Sequence, residues 1–528
     1  MLLSLPMASE STLSSSSRTP IGETSPLLGT PGPASRMEER KTPAGREGQR
    51  PESTGAAGDL SDDELEPSTP RVDMSEEHRS EVERRLVRKL DMLLLPPLWL
   101  LYVCNYLDRN NIAQARLSTF ERDLGLVGNQ FNVAVSILNV GYMVMQLPSN
   151  MMLARTRPSL YIPAWVALWS CVSAATAAAN SFGHLVAIRF FLGFVEAPFA
   201  PGAIYLLSCW YPRRELATRQ AVMLTGLPLA TAFSGLIAAG VFASLEGARG
   251  LAGWQWLFVI EGAASLFVAF LSLVLLPDFP GQKRWGVMAW LLTDEEEAVA
   301  IERMKRDRVS LPAREAGVLK GLMIAVKDVR TWIFVFMTLA GHSAYGFINF
   351  FPTIVRGFKL GSNTLTLILT APPYLAAAVV SLLLAISSDR RDERGWHISI
   401  PQAVACVGFA ITAVTVNGPA RYAAAFLYVC GTFTTVGIVF AWASSTLGET
   451  PEERACAIAI VSPLSQLGNI WSPYFFPSSD GPRFLMANLL MLFFSALVVA
   501  ICLGLKVLLR RANKRLKEEK ADAVLYTL

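Results

Sequence analysis

Charge is scarce in this chain. Only 17% of its 528 residues are Asp, Glu, Lys or Arg, while 52% are hydrophobic, and the mean hydropathy is positive. A soluble domain of that length carries about a quarter charged residues, so the composition excludes an ordinary water-soluble protein. Paired cysteines are missing as well. Cys104, Cys171, Cys209, Cys406, Cys430, Cys456 and Cys502 lie singly in apolar stretches with no C-x-x-C pair. That excludes a disulfide framework and a cysteine metal site, and the residues read as small apolar packing groups. There is no nucleophile–base pattern, phosphate-binding glycine loop or metal-ligand set, so no enzyme, cofactor or metal is expected. The net charge of +4 is small and gives no reason to expect nucleic acid. No N-x-S/T acceptor occurs, so glycosylation gives no clue to the compartment.

What the chain has instead is apolar length. Twelve stretches read as spans: 90–113, 132–153, 160–180, 185–207, 218–243, 255–276, 331–351, 365–387, 398–416, 421–443, 455–476 and 484–508. The hydrocarbon core of a bilayer is about 30 Å thick and takes roughly 20 mostly apolar residues per helix. Inside it every backbone N–H and C=O needs a partner within its own segment, which makes the segments helices. The expected fold is an all-α polytopic membrane protein of twelve transmembrane helices, with the lipid bilayer as its first partner. Residues 1–85 are rich in Ser, Thr, Pro, Gly, Glu and Arg and are expected to form a disordered tail. They lack the unbroken apolar core of a cleaved secretory signal. Within them Glu23-Thr-Ser-Pro-Leu-Leu28 resembles an acidic dileucine sorting signal, a loose pattern that chance also produces.

Basic residues set the orientation. Arg84, Arg85, Arg88 and Lys89 precede the first segment; Arg155 and Arg157, Arg213, Arg214 and Arg219, and Arg390, Arg391 and Arg394 fill alternate links; Arg510, Arg511, Lys514 and Arg515 follow the last segment. Both termini are therefore expected in the cytoplasm, although Arg356 and Lys359 fall outside in this scheme. One long link, 277–330, divides the chain into bundles at 86–276 and 331–509, with a tail at 510–528. The link opens on Pro277-Asp-Phe-Pro280, and Thr293 with Glu296 three residues later forms a capping-box start, so an amphipathic cytoplasmic helix is expected there. Ala385-Ile-Ser-Ser-Asp389-Arg390-Arg-Asp-Glu-Arg394 is similar to the G-x-x-x-D-R-x-x-R loop of the major facilitator superfamily, with Ala for Gly. The matching link is Gln146-Leu-Pro-Ser-Asn150-Met-Met-Leu-Ala-Arg155, where Asn150 stands in place of the acid. The resemblance implies two six-helix halves rocking about a central site, with Asn150, Arg155, Asp389, Arg390 and Arg394 at the gating loops.

Ionisable residues inside a span cost roughly 2.5–3.5 kcal/mol each on insertion scales and mark a pathway. The first segment carries Asp108 and Arg109, the fourth Arg189 and Glu196, two turns apart on one face with Gly193 between them. Two readings are open: a proton-coupled anion site, with Arg suited to a carboxylate, or fixed ion pairs that only orient helices. Arg189 is read as lying towards the cytoplasmic or structural side of its helix pair. The stretches Tyr106-Leu-Asp-Arg-Asn-Asn-Ile-Ala113, Arg189-Phe-Phe-Leu-Gly-Phe-Val-Glu196-Ala-Pro198, Trp210-Tyr-Pro-Arg-Arg-Glu-Leu-Ala-Thr-Arg219 and Gln466-Leu-Gly-Asn-Ile-Trp-Ser-Pro473 resemble the anion:cation symporter family, in its fungal allantoate, pantothenate and nicotinate permease form. The likeness spans about 90–500. It implies import of a small organic anion with protons, with Asp108, Arg109 and Glu196 in coupling and anion binding.

The second half shows no acid or arginine in mid-segment in this reading, so it is expected to supply selectivity contacts. Tyr345 and Asn349, one turn apart on the seventh segment, and Gln466 and Asn469 on the eleventh are candidates for that role or for interhelical hydrogen bonds. Glu261 is read as part of a structural or gating pair. The acidic link Glu449-Thr-Pro-Glu-Glu-Arg454 departs from the allantoate branch. An exporter working by proton antiport is the alternative, although the fifth segment, Thr225-Gly-Leu-Pro228 to Gly235, lacks that group's G-P-x-x-G element. A non-transporting nutrient sensor would need a larger cytoplasmic segment than the basic tail offers. A monomer in the plasma membrane is expected, with the vacuolar membrane as second choice.

Overall fold

The computed structural model describes residues 75–153, 156–281, 286–287, 291–309, 318–448, 451–519 and 525–528. The sorting-signal-like segment and Arg155 lie outside the described residues. All regular structure among the described residues is helical. Ten helical stretches are long and apolar enough to cross a membrane by length and composition. The helices before the long link are α1 (Glu76–Leu93), α2 (Leu95–Ala115), α3 (Gln130–Leu153), α4 (Pro158–Ala175), α5 (Phe182–Glu196), α6 (Phe199–Trp210), α7 (Arg213–Leu224), α8 (Gly226–Leu245) and α9 (Gly253–Leu275). Those of the link are α10 (Asp294–Val309) and α11 (Val318–Lys327). After it come α12 (Val329–Ala344), α13 (Phe351–Gly357), α14 (Asn363–Arg391), α15 (Gly395–Val414), α16 (Gly418–Thr446), α17 (Pro451–Trp471) and α18 (Leu485–Glu519). Side chains close the helix starts where the sequence provides them. Ser181 accepts from the His184 N–H, Ser362 from Leu365 and Asn417 from Ala420, satisfying donors that no helical carbonyl reaches.

Two prolines shape the spans. Pro198 has no N–H and its ring crowds the preceding turn, so the fourth span breaks between α5 and α6 and leaves Glu196 as the last residue of α5. In the seventh span α12 gives way to a 3-10 turn, Gly346–Phe350, before α13 starts at Phe351 with Pro352 in its first turn. A 3-10 turn has three residues per turn rather than 3.6. Tyr345 and Asn349 are thus not stacked on one helix face, contrary to the expectation from spacing.

Two expected boundaries are displaced. Helix α1 starts at Glu76, ten residues inside the stretch read as a disordered tail, because Val82, Leu86 and Leu90 form one buried face, against which α10 packs. At the other end α18 continues through residues read as a tail. The capping box of the link is present: Glu296 N–H donates to Thr293 Oγ1 (3.3 Å) and Thr293 N–H to Glu296 Oε2 (2.9 Å). That helix packs its buried Val299 and Ala300 into the same core as α1 and α6, and Lys89 Nζ reaches Glu296 at 2.8 Å.

Most helix packing lies on one side of the link or the other. Among the helices before the link, α9 lies on α4 and α2, and α3 on α5; after it, α15 lies on α16 and α18, and α12 on α17 and α18. Contacts across the link run through α8 with α14 and α3 with α17. Polar bonds line the second seam: Asn132 Nδ2 donates to the Phe476 carbonyl (3.2 Å), Ser136 Oγ to Ile470 (2.7 Å) and Asn139 Nδ2 to Asn469 (3.3 Å). Residues 525–528 also dock. The Leu528 carbonyl accepts from the N–H groups of Arg394 and Gly395, Trp442 Nε1 donates to Thr527, and Asn513 pairs with Tyr526 in both directions.

Candidate functional site

Asp108 and Arg109 are neighbours in α2, so their side chains leave the helix about 100° apart. The structure gives them different surroundings. Arg109 turns towards α5 and α3, where its Nε donates to Glu196 Oε2 at 2.5 Å. The guanidinium also lies over the rings of Tyr142 (4.6 Å) and Tyr106 (5.6 Å). Asp108 turns towards α4 and α9, accepting Ser173 Oγ at 2.7 Å on one oxygen and Ser265 Oγ at 2.8 Å on the other. The sequence suggested one cluster; the structure makes two neighbouring environments, one with guanidinium and one with hydroxyls only.

Close helix approach builds the first environment. A Cβ on Gly193 would overlap the Leu138 carbonyl, and one on Gly141 the Phe190 carbonyl. Both glycines are needed where α3 and α5 meet, and that contact carries Tyr142 to Arg109. Arg189 is not peripheral. It is 2% exposed, and its Nη2 points at the Arg109 carbonyl, 3.4 Å away. Its Nε and Nη1 and the second Glu196 oxygen, Oε1, have no hydrogen-bond partner. Glu196 is fully buried, while the Arg109 side chain keeps 18% exposure. Arg109 is therefore the more exposed member of the pair. Buried donors and acceptors without partners are rare in native proteins, so this site has unused hydrogen-bonding capacity.

Across from α2, the 3-10 turn 346–350 packs against it and brings the second-half candidates near. The Tyr345 ring lies tilted against Phe433 (4.7 Å) and leaves its hydroxyl unpartnered, as do Tyr374 and Tyr428. Asn349 is half-buried. Gln466 and Asn469 spend part of their capacity on each other, Asn469 Nδ2 donating to Gln466 Oε1 at 2.7 Å, and the Asn469 backbone on Asn139. The side-chain bond lies within α17, and the bond to α3 is made by the Asn469 backbone carbonyl. Around the link between α14 and α15 an ion pair closes between Asp389 and Arg394 (2.5 Å), with Arg394 also on Ser388, while Arg390 is exposed. Asn150 is helical in α3.

The second half buries two cations that the sequence reading did not single out: Lys506, well inside α18, pairs with Glu393, and Arg421, in the first turn of α16, donates to the Arg483 carbonyl (2.9 Å) beneath the Phe358 ring. One reading of charge is corrected. Glu261 is in no ion pair among the described residues; both its carboxylate oxygens lack a partner. Sequence reasoning also missed Tyr106, Tyr142, Ser173 and Ser265. Serines and tyrosines are common in spans, and only the glycine pair hinted at which would converge.

A multipass helical protein with a buried charge site between its spans is a membrane transporter by class. The Major Facilitator Superfamily profile matches residues 98–473, and the chain belongs to that superfamily. The MFS-type transporter cnsO of Penicillium expansum is 33% identical over 82% of this chain and 84% of its own length. A protein of Agrobacterium vitis, assigned provisionally by name to tartrate transport, is 30% identical over 75% of this chain and 85% of its own. In fold, a bacterial homologue of the human lysosomal transporter Spinster, solved inward-facing and unoccupied, superposes with a TM-score of 0.61 at 16% identity, over 81% of this chain and 97% of that one. These relatives are transporters, and this chain is a transporter rather than an enzyme.

Proposed function

We propose that this protein carries a small organic anion across the membrane together with protons, by alternating access. Twelve spans form two six-helix halves, 86–276 and 331–509, joined by the cytoplasmic link, and the monomer sits in the plasma membrane with both termini inside. The observation that carries the reading is the Arg109–Glu196 pair: buried, incompletely hydrogen-bonded and open to solutes on the arginine side. An incoming carboxylate competes with Glu196 for the guanidinium fork. A displaced Glu196 is left without its counter-charge in a dry site and takes up a proton, because an unpaired buried carboxylate is costly. Anion and proton thereby enter together. Tyr106 and Tyr142 hold the guanidinium from its faces, and Tyr345, Asn349, Gln466 and Asn469 face the substrate from the other half.

The seam from Asn132 to Asn139 lies at the outer end in this orientation. Its closure fits an inward-facing state, the state of the Spinster homologue that it resembles. The tartrate-transport name of a relative fits an organic acid as cargo, and the sequence resemblance favours a monocarboxylate such as nicotinate. Uptake of labelled nicotinate and tartrate into proteoliposomes, at equal and at unequal pH, tests the reading. Accumulation driven by an acidic exterior and lost in Arg109→Ala and Glu196→Gln is expected. Uptake that ignores pH and survives both substitutions would sink it, and loss of substrate towards an acidic exterior would indicate export.

A further inference from the structure

Glu261, like Asp108, is a buried acid that the proposed cycle does not use. It lies in α9, 3% exposed, with both carboxylate oxygens unpartnered. Ser265, one turn further along α9, donates to Asp108, and Asn111, almost one turn from Asp108 on α2, approaches Glu261 without closing a hydrogen bond. Both polar atoms of the Asn111 side chain are themselves unpartnered and fully buried. Two carboxyls, two serines and an amide thus share one pocket between α2, α4 and α9. The groups facing it are few. From α2 come Asp108 and the Cys104 thiol; α4 contributes Ser173; α8 carries no ionisable side chain along Gly226–Leu245. Arg109 and Glu196 engage each other on the far side of α2, and Arg189 points to the Arg109 backbone. No cation bonds to either Asp108 or Glu261 among the described residues.

We propose that Glu261 is a second proton-carrying carboxyl, working with Asp108 in a cluster that shares no hydrogen bond with the Arg109–Glu196 anion site. The proposal rests on the proton-coupled reading above. Two carboxylates in one dry pocket cannot both ionise without a cation. The two serine hydroxyls favour the charge on Asp108, so the proton resides on Glu261. Asn111, with a free donor and a free acceptor, is placed to bond either form. A proton taken up on one face is held by the pair as O–H through the reorientation and released to water on the other, and no other bond is made or broken. Separating this pair from the anion site lets proton loading proceed without competing for Arg109.

The full-length protein in liposomes provides the test, with nicotinate and tartrate as probes. Each coupled proton supports about tenfold accumulation per pH unit. Glu261→Gln is expected to keep exchange at equal pH while accumulation loses one such tenfold step, and Glu261→Asp to restore it in part. Infrared difference spectra, which need no substrate, should show a protonated-carboxyl band at neutral pH that Glu261→Gln removes. Unchanged pH-driven accumulation in Glu261→Gln, or an unchanged band, overturns the proposal and leaves the anion site intact. Loss of exchange and accumulation together, unrescued by Glu261→Asp, identifies a structural carboxyl and also overturns it. If the wild type moves neither probe, the anion reading falls and the infrared band alone decides Glu261.

Discussion

The two stretches on either side of the long link handle polarity in opposite ways. Before it, charge is buried at mid-span and only half answered: Arg109 with Glu196, Arg189 nearly alone, Asp108 held by serines and Glu261 by nothing. After it, the middle of the spans is aromatic. Phe347, Phe351, Tyr374, Phe409, Tyr428 and Phe433 form one ring-to-ring network, and the buried cations, Lys506 and Arg421, have their partners at helix ends. A charge deep in a span costs free energy that only function repays. A ring network gives shape and tyrosine hydroxyls at little cost. On the proposed reading, one side changes its electrical state during transport and the other remains as it is.

Breaking the charged side should have the largest effect. Arg109→Ala strands a fully buried carboxylate and is expected to lower stability by about 3–5 kcal/mol as well as abolish uptake. Arg109→Met with Glu196→Leu should recover much of the stability and none of the uptake. Thermal unfolding in detergent, read beside proteoliposome uptake, separates the two. A double variant no more stable than Arg109→Ala would show that the pair does not act as a pair. Next in size is the glycine contact. Gly193→Leu pushes α3 from α5 and should cost about 1–3 kcal/mol by overpacking, with uptake reduced because Tyr142 moves off Arg109. Full activity in that variant would detach the helix contact from the site.

Much of this was legible in the sequence, for reasons that differ residue by residue. The spans follow from apolar length alone, and the break after Glu196 from Pro198. The seven-residue spacing of Arg189 and Glu196 put both on one face, and Gly193 announced a close neighbour. What spacing could not give was direction. Asp108 and Arg109 are adjacent in sequence yet serve different pockets, because the partners that divide them, Ser173, Ser265 and Glu196, come from three other helices. The 3-10 turn at 346–350 escaped notice because its residues, Gly346-Phe-Ile-Asn-Phe350, read equally well as apolar helix. Lys506 drew no reading, because the Glu393 it meets belongs to a link between two other spans.

The aromatic side offers a gentler test. The Tyr345 hydroxyl makes no hydrogen bond, so Tyr345→Phe should leave stability within about 0.5 kcal/mol. If that hydroxyl meets the substrate, half-saturation for the probe anion rises while the maximal rate holds. An unchanged half-saturation would confine Tyr345 to packing.

The smallest effect is expected at the peripheral ion pair of the second half. Burial by itself raises the Glu393 carboxyl, but the Lys506 ammonium, the Trp396 N–H and His397 outweigh it and hold the group below the ordinary glutamate range. The sign follows from linkage. A carboxyl lowered by folding adds stability that is fully present above its unfolded value of about 4.3 and disappears as the pH falls through the lower folded value. Glu393→Gln should therefore destabilise slightly at neutral pH and make no difference in strong acid. Arg109→Ala, by contrast, should be costly at neutral pH through a carboxylate that has no exposed side. Melting curves of both variants from neutral to acid pH compare the two regions directly. A pH-independent deficit in Glu393→Gln would show that the link between α14 and α15 is held by the backbone bonds to Leu528 and not by this charge.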